Sequence, residues 1–264
     1  MTKTLINVLV NDHWILMPEK NLQPGSDSFS FKAGLYETIR TLEHKPVFLK
    51  PHLDRLFYSA KRTGLKIQYS QKVIKSMITK VVKDFEEPNQ RCRILVNFDK
   101  VIIYTSSLNL EPSIYKGINT ITVSTTRSNP EIKTTDYNAC LRAWELAKKN
   151  GCFEALLSDK RNNIFEGSRS NVFWVKNNKI FTRENDVLPG VTRKTILEKY
   201  PDPIHYSKLN LLDFKRLNEV FLTNSGSGII PVIKVNSIQI GDGEPGPTTK
   251  RLLKLYNTWL KNEI

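Results

Sequence analysis

Cysteine is scarce in this chain of 264 residues, where Cys92, Cys140 and Cys152 are the only three. An odd count with no paired spacing argues against a disulfide framework and against a cysteine-based metal site, so no metal is expected and the setting reads as reducing and cytoplasmic. Long apolar runs are missing too. No stretch approaches the roughly 20 apolar residues that cross a bilayer, so no membrane partner is expected. The opening run Met1–Val10 is brief and has no small-residue cleavage site, so it reads as a short strand rather than a secretion signal. Acidic residues are few, 26 against 40 lysines and arginines, for a formal charge of +14. Those cations are scattered, the longest clusters being pairs such as Lys148-Lys149 and Lys160-Arg161. A nucleic-acid face needs a concentrated patch, so none is expected. The reading is a lysine-rich solvated surface whose field helps to draw in anions such as a phosphate ester or a carboxylate. There is no Gly-x-Gly-x-x-Gly, no P-loop, no internal repeat and no low-complexity tract, which leaves Rossmann and Walker readings without support.

What is present alternates short strands with amphipathic helices, an α+β pattern long enough for two modest domains. Strands are expected at Leu5–Val10, Tyr36–Thr41, Cys92–Asn97 and Val101–Thr105, with a hairpin at Glu43–Pro46. Leu53, Leu56, Phe57 and Ala60 form one helical stripe that stops at Gly64, and a second helix is expected from Ser70 to Phe85. The pattern breaks between Ser106 and Gly117, which puts a domain boundary within 106–132; residues 1–112 form the first domain and 113–264 the second, whose first stretch, about 113–132, is an interdomain loop. Beyond it come strand Thr120–Thr125, a helix carrying Tyr137, Cys140, Leu141, Trp144 and Ala147 on one stripe and capped at Gly151, and β runs at Phe153–Leu157, Ile164–Glu166, Asn171–Val175 and Lys179–Thr182. A short helix after Val191, a strand at Glu219–Thr223 and a helix at Thr249–Lys261 complete the pattern.

Two motifs carry chemistry. Lys133 stands in Pro130-Glu-Ile-Lys133-Thr-Thr-Asp-Tyr137, just ahead of a helix, and Glu166 stands in Phe165-Glu166-Gly167-Ser168-Arg169-Ser170-Asn171-Val172-Phe173. Alone, such a lysine is ordinarily a surface residue and a Glu-Gly pair an ordinary turn. Taken together with the strand Gly151-Cys-Phe-Glu-Ala-Leu-Leu157 between them, in this order and spacing, they resemble the fold-type IV, or class IV aminotransferase, group: branched-chain aminotransferases, D-amino-acid aminotransferases and aminodeoxychorismate lyases.

The resemblance runs from Gly34 to Val232 and implies a small N-terminal α/β domain and a larger C-terminal barrel-like domain, with pyridoxal 5′-phosphate in the cleft between them and a homodimer whose partner borders each site. By the same resemblance Lys133 is the Schiff-base lysine and the base that moves the substrate Cα proton, and Glu166 holds the proton on the ring nitrogen. Val191 and Thr192 in Leu188-Pro-Gly190-Val191-Thr192-Arg193, Ser225 and Gly226 in Phe221–Val232, and Arg55 in His52-Leu-Asp-Arg55-Leu then bind the phosphate, although periodicity alone would leave Arg55 on the surface. Tyr137 reaches the cofactor hydroxyl, Tyr36 and Ser227 face the substrate, and Ser170 and Asn171 hold the backbone beside Glu166. The Tyr137 offset departs from the family: it follows the lysine by four positions here and by five in the branched-chain enzymes.

Arg93, in Arg91-Cys-Arg93-Ile-Leu-Val, resembles the arginine that branched-chain enzymes use for a second carboxylate. The following turn, Asn97-Phe98-Asp99-Lys100, lacks the Arg-Gly pair of D-amino-acid aminotransferases and many of the lyases. The expected activity is therefore amino transfer between a branched-chain-like L-amino acid and a 2-oxo acid. The alternatives are 4-amino-4-deoxychorismate lyase and a non-catalytic binding protein on the same scaffold, to which loss of Lys133 or Glu166 would have pointed.

Overall fold

A computed structural model describes residues 5–22 and 34–264 of the chain; the expectation for Met1–Thr4 lies outside them. The chain divides into two compact units. The first comprises the described residues of Met1–Asn109 together with Ile132–Asn138 and Leu260–Ile264, and the second Leu110–Glu131 with Ala139–Trp259.

In the first unit the strands are β1 (Leu5–Val10), β2 (His13–Pro18), β3 (Leu35–Leu42), β4 (Lys45–Pro46), β5 (Gln90–Val96) and β6 (Val101–Ser107), forming one sheet in the order β2-β1-β6-β5-β3-β4. Every pairing in it is antiparallel. Helices α1 (Leu49–Thr63) and α2 (Gln71–Asp84) cover one face. Their stripes, Leu53, Leu56 and Ala60 from α1 and Ile74, Met77, Ile78, Val81 and Val82 from α2, pack on Leu35, Ile39, Cys92, Ile94 and Ile103 of the sheet. Each buried aliphatic side chain there contributes about 1.5–3 kcal/mol relative to exposure. The ends obey local chemistry: Gly64 closes α1 at φ 70°, and the Ser70 hydroxyl accepts the Val73 N–H to open α2. The turn into β4 has both Glu43 and His44 at positive φ.

The second unit is a mixed sheet built from β7 (Ile118–Ser124), β8 (Glu154–Ser158), β9 (Asn163–Gly167), β10 (Asn171–Lys176), β11 (Lys179–Thr182), β12 (Ile204–Tyr206), β13 (Leu209–Asn210), β14 (Glu219–Asn224), β15 (Gly228–Val235) and β16 (Ile238–Gln239). Its order is β12-β11-β10-β14-β15-β7-β8-β9-β13, with β16 added to β15. The helices are α3 (Asn138–Lys149), α4 (Val191–Lys199) and α5 (Pro247–Lys261). One core gathers Leu156 and Ile164 from β8 and β9 with Val172, Trp174 and Phe181 from β10 and β11, so strands distant along the sheet order curl around the same interior. That curl is the barrel-like form expected of the larger domain.

Three features differ from the sequence reading. The Lys133 segment belongs to the first unit, not the second, because it is stitched to β3: Tyr36 N–H donates to the Lys133 carbonyl at 3.1 Å and Thr135 N–H to the Gly34 carbonyl at 2.8 Å. Most of the expected phosphate loop at Phe221–Val232 is strand, β14 and β15 leaving only Ser225–Ser227 as a turn. Arg55, which periodicity alone would leave on the surface, is 8 % exposed.

Candidate active site

The Lys133 carbonyl accepts the Tyr36 N–H of β3 and the Thr135 N–H donates to the Gly34 carbonyl just ahead of it. Lys133 Nζ lies 4.2 Å from the centroid of the Tyr36 ring, a cation–π contact that holds the amine over the sheet. Tyr137, just before α3, meets Tyr36 edge-on at 6.0 Å. Because side chains alternate along a strand, Tyr36 and Thr38 share one sheet face, and the register places Arg93 opposite Thr38 and Tyr104 opposite Arg93. Arg93 Nη1 reaches the Tyr104 hydroxyl at 3.5 Å, and that hydroxyl donates to the Leu22 carbonyl at 2.8 Å. The structure thus brings Lys133, Tyr36 and Tyr137 together and places Arg93 on the same sheet face.

On the covered face, Glu37 of β3 meets α1. Its Oε1 accepts Arg55 Nε at 2.8 Å and its Oε2 accepts Arg55 Nη2 at 2.7 Å, with His52 Nδ1 2.8 Å from Oε2. This bidentate pair is why a cation sits inside. Burial would raise the Glu37 carboxyl, but the Arg55 charge and the bonds from Arg55 and His52 bring it down from 4.5 to about 2. For His52 burial outweighs the pull of Glu37 and lowers its pKa below 6.5.

The linkage has a definite sign. A depressed carboxylate contributes stability that is present above its unfolded value of 4.5 and lost as pH falls towards its folded value of about 2. That loss is on the order of 3 kcal/mol. A depressed His52 acts in the same direction, its cost appearing as pH falls below 6.5. The melting temperature of the parent should therefore drop steeply between these values, and the slope below 4.5 should flatten in Glu37→Gln. Equal slopes in the two proteins would show that this pair does not govern acid unfolding.

In the second unit Glu166 lies one residue before the end of β9, 4 % exposed. Its Oε1 accepts Arg127 Nη1 at 3.1 Å and its Oε2 accepts the Leu188 N–H at 2.9 Å. Arg127 also donates to the Pro130 carbonyl at 2.8 Å, which fixes its guanidinium beside the acid. Arg127 was not expected from sequence. It lies in a loop with no periodic pattern, and only its position ahead of the lysine motif offered a signal.

The turn after Glu166 is built around a second buried acid. Glu154 accepts the Ser168 hydroxyl, the Ala155 N–H at 3.0 Å and the Ser170 hydroxyl at 3.2 Å. Ser170 therefore supports the turn. Asn171 donates from Nδ2 to the Leu188 carbonyl at 2.8 Å, so Glu166 and Asn171 grip the same residue from two sides.

That grip sets the start of α4. A Cβ on Gly190 would run into Asn171 Oδ1, so glycine is required there. The helix's own ladder begins with Lys194 N–H to the Gly190 carbonyl at 2.8 Å, and the amides of Val191 and Thr192 precede it, as expected of a helix N-terminus that can hold an anion. Thr192 Oγ1 lies 3.3 Å from the Tyr256 hydroxyl. The Ser225–Ser227 turn is held by Ser227 N–H to Asn224 Oδ1 at 2.7 Å and by the Tyr115 hydroxyl to the Ser227 carbonyl at 2.9 Å. Beside it the Thr223 hydroxyl, opposite Asn171 in register, is buried with no hydrogen-bond partner among the described residues.

This donor set fits a phosphorylated pyridine: a buried carboxylate held in place by two donors, helix-terminal amides, a Ser-Gly turn and an orphaned hydroxyl. No group of His, Cys, Asp and Glu among the described residues could hold a metal. Nor is any described helix long and apolar enough to cross a membrane.

Comparison with known proteins agrees with the geometry. Residues 34–235 match the family described as Amino-transferase class IV. A probable branched-chain-amino-acid aminotransferase of Thermotoga maritima is 28 % identical over 88 % of this chain and 88 % of its own length. A D-alanine aminotransferase of Listeria innocua is 26 % identical over 94 % and 93 %. In structure, the branched-chain amino acid aminotransferase of Escherichia coli superposes at a TM-score of 0.83 over 98 % of this chain and 96 % of that one, at 22 % identity. Another branched-chain amino acid aminotransferase, solved with pyridoxamine 5′-phosphate, does so at 0.86 over 100 % and 96 %, also at 22 % identity. The ordered motifs around Lys133 and Glu166, the fold of both units and the match over most of the length agree: the chain belongs to the class IV aminotransferase family.

Proposed function

We propose that the chain transfers an amino group between an L-amino acid of the branched-chain type and a 2-oxo acid. The carrying observation is the half-buried Lys133 amine fixed 4.2 Å over Tyr36, with Arg93 on the same sheet face. The cofactor of this family is pyridoxal 5′-phosphate, which supplies an aldehyde and an electron-accepting ring.

Lys133 takes the substrate Cα proton at Nζ and returns it, a role suited to an amine whose backbone is pinned to the Tyr36 and Gly34 segment. Glu166, aligned by Arg127 and the Leu188 amide, would keep a proton on the ring nitrogen by a charge-assisted bond. Val191, Thr192, Ser225 and Gly226 would hold the phosphate; Arg55, the further donor implied by the resemblance, lies in the first unit with its guanidinium on Glu37. Glu37 keeps the Arg55 charge in place inside the first unit. Tyr137 serves the cofactor hydroxyl, and Tyr36 and Ser227 border the substrate.

Arg93 decides the substrate class. If it anchors a second carboxylate, Arg93→Met should raise the KM for glutamate or 2-oxoglutarate by about 10- to 150-fold, the equivalent of one lost charge-assisted bond of roughly 1.5–3 kcal/mol. The KM for leucine and the cofactor affinity should stay near the parent values. The test is a panel of L- and D-amino acids and 2-oxo acids, with an assay for 4-aminobenzoate. Equal effects on mono- and dicarboxylates, preference for D-amino acids, or release of pyruvate and 4-aminobenzoate without amino transfer would defeat this reading, the last in favour of the lyase.

A homodimer belongs to the same proposal. Its support is the edge strand β2, which exposes Trp14, Ile15 and Leu16 beside Leu5 of β1, an apolar rim that isolated chains rarely leave open. Light scattering should give twice the chain mass, falling to one chain mass in Leu16→Glu. A monomeric parent would remove the dimer.

A further inference from the structure

Lys160 and Arg161 of the β8–β9 turn, Arg183 just after β11 and Lys208 just before β13 are distant in the chain. The fold of the second unit brings them around one cavity of about 430 Å³, completed by Asp159 and Asn163. Its walls are pinned to one another. Strand β13 pairs with β9 through Leu209↔Ile164 and Asn210↔Asn163, Asn210 Nδ2 donates to the Arg161 carbonyl at 2.9 Å, and the Ser207 N–H donates to the Thr182 carbonyl at 3.1 Å.

The acids nearby are occupied elsewhere. Asp159 Oδ1 accepts the amides of Arg161 and Asn163 at 2.8 and 2.9 Å, and its Oδ2 accepts Asn163 Nδ2 at 2.9 Å, so its lone pairs are spent on its own turn. Arg183 is 7 % exposed. It is fixed by the Asn185 carbonyl and Asp186 Oδ2, each at 3.0 Å, and by the Phe165 ring at 3.9 Å. Lys160, Arg161 and Lys208 are exposed, and among the described residues no ion pair engages them. Cations thus outnumber carboxylates around a preformed hollow, a field that favours an anion.

We propose that this cavity, whose lining includes neither Lys133 nor Glu166, binds a small polyphosphate-bearing anion. The volume lies in the range of small-molecule sites and exceeds the need of a single phosphate. Three long cationic side chains of adaptable reach suit a charge spread over two or more phosphoryl groups.

The test uses cofactor-loaded enzyme, whose own phosphate site is already filled, titrated calorimetrically with inorganic pyrophosphate. One molecule should bind per chain, more weakly as salt rises. The affinity should fall at least tenfold in Lys160→Gln/Lys208→Gln and stay unchanged in Lys250→Gln/Lys254→Gln, a charge-matched change on exposed α5 positions. Absence of binding, equal loss in both double variants, or binding of a single-stranded RNA oligomer without binding of pyrophosphate would overturn the proposal.

Discussion

Lys133→Ala is expected to lower amino transfer by on the order of 10⁴-fold while leaving the fold in place. The magnitude follows from losing a positioned base at the proton-transfer step; a methyl group has no lone pair with which to take the proton or to attack the cofactor aldehyde. The fold should survive because the segment is held by its backbone, through Tyr36 N–H to the Lys133 carbonyl and Thr135 N–H to the Gly34 carbonyl, neither of which needs the side chain. What the stability loses is one cation–π contact with Tyr36, about 0.5–1 kcal/mol at a partly exposed site. Lys133→Arg keeps the charge but not the chemistry, since a guanidinium does not deprotonate in proteins, and should be nearly as inactive. Steady-state rates with circular-dichroism melting curves check both variants. Activity near the parent level in either would remove Lys133 from the mechanism.

Glu166→Gln should keep the cofactor bound and slow turnover by about 10²- to 10³-fold, the usual cost of removing one electrostatic partner of a developing charge. Glutamine preserves shape, and its carbonyl can still accept the Leu188 N–H that Glu166 accepts at 2.9 Å. The negative charge is what goes. It leaves the ring nitrogen without an anionic partner and leaves Arg127, whose side chain is 15 % exposed, without its counter-charge at 3.1 Å. The second effect predicts some loss of stability, which Arg127→Met in the same chain should restore without restoring the rate. The rate of Cα proton exchange in deuterated water reads the chemical step directly. Unchanged exchange with an unchanged absorbance spectrum would mean that another acid faces the ring.

Elements governed by local chemistry were legible in the sequence. The stripes of α1 and α2 with their Gly64 and Ser70 ends follow from periodicity and from the capping chemistry of glycine and serine. Strand β15 was hidden by its own residues, because a Ser-Gly cluster reads as a turn and Pro231, opposite Phe221 in the ladder, reads as a strand breaker. Strands β12, β13 and β16 span only two or three residues each, too few for any pattern. The site divides in the same way. Lys133 and Glu166 stand in ordered motifs, but the burial of Arg55 depends on Glu37 across a strand–helix contact, and the fixing of Glu166 depends on Arg127 and the Leu188 amide. Such partners are set by tertiary packing, which no local window of sequence records.

The most direct measurement of the central claim is to reduce the cofactor-loaded enzyme with borohydride, digest it and locate by mass spectrometry the lysine that carries the cofactor. Among the many lysines of this chain, the account predicts the label on Lys133 alone, and none in Lys133→Ala. Label on another lysine, or undiminished labelling in that variant, would contradict it.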